Sequence, residues 1–268
     1  MQSTPHAHLF TEMVHNQVNL NFNAYSNGWL AAGTSKEFDY TLAAIQELAE
    51  FNDSYWKPWW SKEKPQDIAN CKVELVDALH FIMSQALIEA PENQPTREAW
   101  VVAQMLFGDG QALWQYSVAA TSPSLGPVPA LALSKLLMGA LASRHPVPSA
   151  VWGYFFALCH SVKMEVPELH ARYMAKSALN AFRQTHGYKL GTAKWGEPTE
   201  GKYVKVWYGQ QQDNAYLTQW VNRYEDDGHW PSTAAINEWL EVEYAKMLAL
   251  CEKPAVPFSF DDRGRASV

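Results

Sequence analysis

Two acidic residues, Glu74 and Asp77, lie in a nearly continuous apolar run that extends from Val73 to Met83. A helix that is apolar at most positions is expected to be buried, and a buried carboxylate without a partner is very costly. Residues spaced i, i+3 are separated by about 60° around a helix axis, so both side chains share one face. A chain with this segment must therefore bring compensating charge to that face.

A second acidic pair with the same spacing, Glu47 and Glu50, lies in an earlier segment that is also predicted to be helical. Such pairs are common on solvated helix faces, so this pair alone indicates little. Together, however, four carboxylates from two helices can surround a divalent cation. An all-oxygen set of this kind suits Mg²⁺, which usually accompanies a phosphorylated substrate.

A di-iron carboxylate bundle is the alternative metal site. That site takes a Glu-x-x-His element from each of two helices and a single Glu from each of two others. The segments 12–15 and 77–80 have the required spacing. Their order along the chain differs from the bundle pattern, however, and the second segment has Asp in place of Glu. The magnesium site is therefore the favoured hypothesis.

The composition limits the possible classes of protein. The chain has 268 residues, of which 47% are hydrophobic and only 18% are charged, so it can form a sizeable core. Its formal net charge is −7, which argues against a general surface for nucleic acid or for anionic membranes. An acidic protein can still bind a nucleotide when a metal and local cations neutralise the phosphates.

The three cysteines, Cys71, Cys159 and Cys251, are far apart and form no CxxC or zinc-ligand pattern. Free thiols in a reducing compartment are therefore expected. The first residues lack the pattern of a signal peptide, and no apolar run approaches the roughly 18 residues that cross a bilayer. These features predict a cytoplasmic protein that binds no membrane.

Hydrophobic periodicity and helix-breaking residues predict an all-α fold, a helical bundle with few strands. We predict helices over about 8–25, 37–52, 68–90, 96–118, 130–143, 149–164, 167–185 and 232–251. Ser35 is the predicted N-cap of the second helix. Residues 53–66, 121–129 and 186–214 are predicted to be connectors or irregular. We expect one domain over 1–252, either as one body or as a rigid and a mobile lobe, and a tail over 253–268.

A polar stripe is predicted on the helix that ends near residue 185. Lys176, Asn180 and Arg183 are spaced i, i+4 and i+7, so they line one face. Tyr188 and Lys205 add a phenol and a further cation. Such a set can bind a polyphosphate, and the alternative is an ordinary solvated helix face.

Other nucleotide and catalytic motifs are absent from the sequence, including the GxxxxGK[ST] loop, the GxGxxG fingerprint, the GxSxG elbow and any His-Asp dipeptide. His80 could contact a base or be a satisfied core histidine. The cluster Trp56, Trp59 and Trp60 could belong to the core. Alternatively, it could provide a stacking surface beside the acidic helices.

These residues, in this order, resemble the dimeric all-α dUTPases, a branch of the all-α NTP pyrophosphatase superfamily. The resemblance covers most of residues 9–85 and 176–214. It is carried by the motifs Gln17–Asn21, Trp29, Ala44–Glu50, Trp56–Trp60, Glu74–Ser84, Asn180–Arg183, Gly187–Gly191 and Tyr203–Asn214.

The resemblance implies a catalytic helical bundle that forms a homodimer, and it implies a role for each matching residue. The implied ligands of Mg²⁺ are Glu47, Glu50, Glu74 and Asp77. The implied phosphate-binding residues are Lys176, Asn180, Arg183, Tyr188 and Lys205. The implied nucleobase and sugar pocket consists of Gln17, Asn21, Trp59, His80 and Phe81.

The implied reaction is Mg²⁺-dependent hydrolysis of dUTP to dUMP and pyrophosphate, with dUDP as a further substrate. In the family, a metal-activated water attacks the β-phosphate, and Glu50 is the expected acceptor of its proton. Two alternatives stay open at this point. One is the same chemistry on dCTP or dTTP, and the other is a helical interaction protein without activity.

The chain departs from the family pattern in three places. Gln212 precedes Asp213 and Asn214, where the family usually has Glu-Asp-Asn. Residues 192–202 resemble an insertion, and residues 86–175 match weakly and could carry a different dimer surface. These departures bear on the preferred base and on the dimer.

Overall fold

The computed structural model describes residues 6–26, 28–35, 37–57, 59–60, 65–91, 96–106, 128–143, 149–225, 229–251, 259–260 and 266–267. Helix is the dominant secondary structure and the strands are two residues long, so the predicted all-α class is confirmed. The chain divides into two compact units, Met1–Ser177 and Ala178–Val268.

The helices of the first unit follow one another along the chain. They are α1 (Ala7–Tyr25), α2 (Gly28–Thr34), α3 (Tyr40–Tyr55), α4 (Ile68–Glu89), α5 (97–106), α6 (Val128–Ala142), α7 (Ser149–Ser161) and the first part of α8 (Val166–Thr185). All of these except α2 were predicted. The predicted fourth helix is described only over 97–106, and its remainder, 107–118, lies outside the described residues.

Aspartate caps begin both acidic helices. The Asp39 side chain accepts the Leu42 N–H at 3.0 Å and starts α3, and Asp67 accepts the Asn70 N–H at 2.9 Å and starts α4. The prediction that Ser35 caps the second helix was wrong. The Ser35 hydroxyl instead donates to the Ala32 carbonyl at 3.1 Å, within the turn that ends α2.

The core of the first unit is centred on α4, which buries 13 of its 22 residues. Leu75, Leu79 and Ile82 of this helix are fully buried, as are Leu48 and Phe51 of α3. The two helices pack against each other, and this packing brings the acidic positions of one helix towards those of the other.

A buried ion-pair triad joins α4 to α8 within the first unit. Glu168 accepts from Lys72 at 2.6 Å and from Arg172 at 2.7 Å, and all three residues are buried. Both cations bind the same carboxylate oxygen, which fixes α8 against α4 at this level.

The second unit contains the end of α8, short strands and two further helices. A 3₁₀ helix covers Tyr188–Leu190, and the helices are α9 (Asp213–Asn222) and α10 (Thr233–Cys251). The strand pairs are parallel β1–β2 (Thr192–Ala193 with Tyr203–Val204), antiparallel β3–β4 (Val206–Trp207 with Gln211–Gln212) and antiparallel β5–β6 (Ser259–Phe260 with Ala266–Ser267). Helix α9 was not predicted.

Glycine is required at the turn that follows α8. Gly187 has φ +87°, and a Cβ atom there would lie 1.9 Å from the Gly201 carbonyl oxygen. The two segments therefore approach each other more closely than any side chain allows.

Two sequence predictions fall largely outside the described residues. Of the predicted tail over 253–268, only the strands β5 and β6 are described, and of the predicted connector over 121–129 only 128–129 are described. Among the helices that are described, none is both long and apolar enough to cross a membrane.

Candidate metal centre and nucleoside site

Three carboxylates converge where α3 packs against α4. One oxygen each from Glu47, Glu50 and Glu74 can be chosen so that all three lie within 4.8 Å of one another. Glu50 is exposed, Glu47 is half-buried and Glu74 is buried. The i, i+3 spacing orients the α3 pair, and the packing of the two helices brings Glu74 to it. We call this group the acidic cluster.

The acidic cluster is short of positive charge. Burial, together with the nearby charges of Asp77, Glu50 and Glu74, raises the pKa of Glu47 to about 7, against an opposing effect of Lys176. Burial, together with repulsion from Asp77 and Glu50, also raises the pKa of Glu74 to about 7. A multivalent cation would relieve both costs, and an all-carboxylate set fits a hard divalent ion.

The fourth predicted metal ligand has a different partner. Asp77 Oδ2 accepts a hydrogen bond from Lys176 Nζ at 2.7 Å, and the two side chains are only 19% and 13% exposed. Asp77 is therefore not a member of the converging group, although its charge acts on Glu47 and Glu74. The structure thus brings together three of the four predicted ligands and pairs the fourth with a predicted phosphate-binding lysine.

The di-iron alternative does not form within the described residues, where the acidic cluster is the only group of three or more His, Cys, Asp or Glu side chains whose ligand atoms lie close enough together to hold one metal ion. Glu12 instead pairs with His170 at 3.0 Å. His80 contacts Gln17 through Nδ1. The two Glu/Asp-x-x-His segments therefore have other partners.

Three predicted nucleoside-binding residues belong to one buried hydrogen-bond network. Gln17 Oε1 accepts from the Tyr173 hydroxyl at 2.8 Å and lies 2.7 Å from His80 Nδ1. Gln17 Nε2 donates to Asn21 Oδ1 at 2.9 Å and to Ser84 Oγ at 3.0 Å. Asn21 Nδ2 also donates to Ser84 Oγ, at 3.0 Å. We call these five residues the Gln17 network.

The Gln17 network determines which nitrogen of His80 carries the proton. Gln17 Oε1 is a carbonyl oxygen and can only accept, so His80 Nδ1 must donate and Nε2 is left as an acceptor. Burial and, to a smaller extent, the charge of Lys176 lower the pKa of His80 to about 3, so the ring is neutral. Within the described part of the chain, the buried Nε2 has no hydrogen-bond partner.

Two members of the network, Tyr173 and Ser84, were missed by sequence reasoning. Tyr173 stacks on the His80 ring, with a centroid distance of 4.3 Å. A signal did exist in the sequence, because Ser84 follows His80 by one helical turn and Tyr173 precedes Lys176 by three residues.

The other two predicted nucleoside-binding residues lie outside this network. Phe81 is half-buried and its ring lies 6.4 Å from that of Tyr40. Trp59 is 87% exposed and Trp60 68% exposed, with their rings packed edge to face at 5.4 Å. The core interpretation of this tryptophan cluster was wrong, because the aromatic rings lie at the surface.

In the second unit, Arg183 forms a bidentate ion pair with Asp213. Nε donates to Oδ2 at 2.8 Å and Nη2 donates to Oδ1 at 2.6 Å. Tyr203 also donates to Oδ2 at 2.8 Å, and Asp213 is fully buried. No pattern in the sequence indicated this pairing, because the partners are 30 residues apart across an irregular segment.

Two predicted phosphate-binding residues lie beside Arg183 in this unit. Asn180 Oδ1 accepts from Arg183 Nη1 at 3.3 Å, and the Tyr188 ring lies 5.5 Å from the guanidinium carbon. The main-chain carbonyl of Lys205 accepts the Asp213 N–H at 2.9 Å. The structure therefore brings Asn180, Arg183 and Tyr188 together around a buried carboxylate.

A family model described as dUTPase matches residues 9–188 of the chain. The match contains the acidic cluster, Asp77 and the whole Gln17 network, and it runs through 86–175, where the motif resemblance was weak. A search of curated proteins found no match to the chain. Because the family match covers more than half of the sequence, we conclude that the chain belongs to the all-α dUTPase family, which indicates dUTP diphosphatase activity on a nucleotide substrate with a divalent metal.

Proposed function

We propose that this protein is a Mg²⁺-dependent hydrolase that converts dUTP to dUMP and pyrophosphate and also accepts dUDP. The observation that carries the proposal is the acidic cluster, in which Glu47 and Glu74 have a raised pKa because too little positive charge faces them. Carboxylates that are costly to the fold in this way are typical of a functional site.

The acidic cluster would hold the metal, with Asp77 completing the ligand set. Carboxylate oxygens favour Mg²⁺ over softer ions. When bound, the metal would lower the pKa of a coordinated water and neutralise charge on the leaving pyrophosphate. Glu50 is the exposed member of the cluster, so its carboxylate is the one best placed to accept a proton from the attacking water.

Phosphate binding is assigned to Lys176, Asn180, Arg183, Tyr188 and Lys205, as the family resemblance implies. Arg183 has five N–H donors, and Asp213 takes two of them. The pairing with Asp213 therefore leaves donors on the guanidinium for a phosphate. Lys176 offers its ammonium once it is released from Asp77.

Base recognition is assigned to His80 and Asn21, with Trp59 and Phe81 providing aromatic surface. Gln17 Oε1 faces two donors and Nε2 makes two hydrogen bonds within the network. Gln17 therefore holds the other residues in place and does not touch the base. His80 Nε2 accepts, so it would receive a donor such as the N3–H of uracil. A homodimer and a cytoplasmic location stay predictions from the sequence.

A nucleotide panel tests this function. The purified protein with Mg²⁺ is given dUTP, dUDP, dCTP and dTTP, and the products are separated by chromatography. We expect the highest kcat/KM for dUTP, with dUMP and pyrophosphate as products. Turnover of dCTP or dTTP above that of dUTP would contradict the base assignment, and the absence of any turnover would contradict the enzymatic role.

Removing a charge from the metal site should abolish turnover without unfolding the protein. We expect Glu47→Gln and Asp77→Asn to lower kcat by about 10³-fold or more, because each removes a metal ligand while preserving side-chain size. The control is Glu37→Gln, an exposed carboxylate just before α3. Rates within a few-fold of wild type at saturating Mg²⁺ would refute the assigned mechanism.

A further inference from the structure

A lysine already occupies the carboxylate that the metal site requires. Lys176 Nζ lies 2.7 Å from Asp77 Oδ2, and both side chains are largely shielded from water. The charge of Lys176 also acts on Glu47 and Glu74. Within the described residues, no other cation is seen to act on both of these carboxylates.

We infer that Lys176 is an internal counter-ion that competes with the metal for Asp77 and leaves it for the substrate's phosphates. This inference rests on the proposed function and concerns the order of events at the same site. A divalent ion that binds Asp77 while Oδ2 holds an ammonium group at hydrogen-bonding distance is repelled by that positive charge. Metal binding to the free protein must therefore break or weaken this ion pair.

The exchange couples metal binding to nucleotide binding. Without nucleotide, the metal must displace Lys176 into solvent or bind beside a close positive charge, and either costs free energy. With nucleotide, a phosphate group gives the ammonium a new anionic partner. The phosphates therefore strengthen metal binding beyond their own coordination, and by linkage the metal strengthens nucleotide binding equally.

The test is the variant Lys176→Met, which keeps most of the length of the side chain and removes its charge. Binding of Mg²⁺ and of Mn²⁺ is measured by calorimetry at about pH 8.5, where carboxylates with a pKa of about 7 are ionised. Each titration is made with and without a non-hydrolysable α,β-imido analogue of dUTP. The control variant is Lys135→Met, which removes an exposed lysine of α6.

Without nucleotide, Lys176→Met should bind the metal about tenfold more tightly than wild type, within the usual range of coupling free energies. The increase in metal affinity caused by the analogue should be correspondingly smaller in this variant. Lys135→Met should behave as wild type. Lys176→Gln, which is polar and uncharged, should reproduce the result if the Met variant folds poorly.

Unchanged or weaker metal affinity in both Lys176 variants would overturn the inference, as would an analogue effect equal to that of wild type. These outcomes differ from a failure of the proposed function. If the wild-type protein does not cleave dUTP, the enzymatic proposal fails, but the metal affinities still report whether Lys176 and the metal compete for Asp77.

Discussion

The two units of the molecule differ in how the charge of their partly or fully buried carboxylates is balanced. In the first unit, Glu47 and Glu74 face further acids, and their pKa is raised to about 7. In the second unit, Asp213 is fully buried but accepts from Arg183 through both oxygens and from Tyr203. One site holds uncompensated negative charge, and the other site is neutralised by its own side chains.

The first unit also contains a buried carboxylate whose charge is balanced by neighbouring side chains. Glu168 lies between Lys72 and Arg172, so a single buried carboxylate has two cationic partners there. The shortage of positive charge around the acidic cluster is therefore a local feature of that cluster. The contrast separates carboxylates that stabilise the fold from carboxylates that the fold tolerates at a cost, as expected of a binding site.

Breaking the ion pair between Asp213 and Arg183 should produce the largest change in stability. Asp213→Asn keeps the size of the side chain but leaves Arg183 buried without a full counter-charge, so we expect the second unit to lose about 3 kcal/mol. Hydrogen exchange over 178–251 measures this loss directly, and urea unfolding followed by tryptophan fluorescence gives its total size.

The matched control for this change is Glu197→Gln, an exposed carboxylate of the same unit, which should alter stability by less than about 0.5 kcal/mol. Equal stability of the two variants would show that the ion pair contributes little.

The variant Arg183→Ala tests by kinetics whether Arg183 also binds phosphate. If it does, KM should rise in the folded protein. An unchanged KM and kcat would mean that Arg183 has a purely structural role.

Helical spacing explains how much of the first site could be predicted. The i, i+3 pairs and the stripe through Lys176 follow from local periodicity, and α3, α4 and α8 are present in the structure. The pairing of Lys176 with Asp77, 99 residues apart, depends on how α8 packs against α4. Periodicity within one helix carries no information about that packing.

The second site and some local details could not be predicted for different physical reasons. Asp213 begins a helix directly after two-residue strands, where no periodic pattern exists to detect. Ser35 and Asp39 are both good N-cap residues, and only the path of the chain decides which of them caps α3. The exposure of Trp59 depends on the surrounding loop, since tryptophan occurs both in cores and at surfaces.

The acidic cluster should produce a change of intermediate size in the free energy of unfolding, and this change depends on pH. The pKa of Glu47 and Glu74 rises from 4.5 to about 7 on folding, so the folded protein binds more protons than the unfolded chain between these values. Without metal, the free energy of unfolding should therefore fall as the pH rises from about 4.5 to 7. We expect a loss of about 2 kcal/mol, reduced from the full linkage value by solvent screening and by coupling between the two groups.

Urea unfolding at a series of pH values measures this dependence in the presence of a chelator. Glu47→Gln should flatten the curve, because it removes one of the two titrating groups and relieves the other. Adding Mg²⁺ at pH 8 should restore stability to wild type more than to Glu47→Gln. A stability that rises between pH 4.5 and 7 and does not respond to the variant would show that the cluster is compensated after all.

The smallest effect is expected from a change in the Gln17 network. Of the buried side-chain polar atoms in this network, one lacks a hydrogen-bond partner among the described residues, namely His80 Nε2. Tyr173→Phe keeps the ring stacked on His80 but removes one of the two donors that hold Gln17 Oε1 in place. The Gln17 amide is then held less firmly and enforces the His80 tautomer less strictly, so we expect the preference for dUTP over dCTP to fall by about fivefold, close to 1 kcal/mol, with little change in fold.

Tyr216→Phe is the matched control, because the Tyr216 hydroxyl also donates to a glutamine oxygen, that of Gln210, at 3.0 Å in the other unit. Nitrogen-15 NMR spectra of the histidines should show an unprotonated Nε2 on His80 in wild type and a mixture of tautomers in Tyr173→Phe. A proton on Nε2 in wild type, or equal selectivity in both variants, would contradict the role of the network. Such a result would make His80 a core residue without a role in base recognition and would move base selection to Asn21.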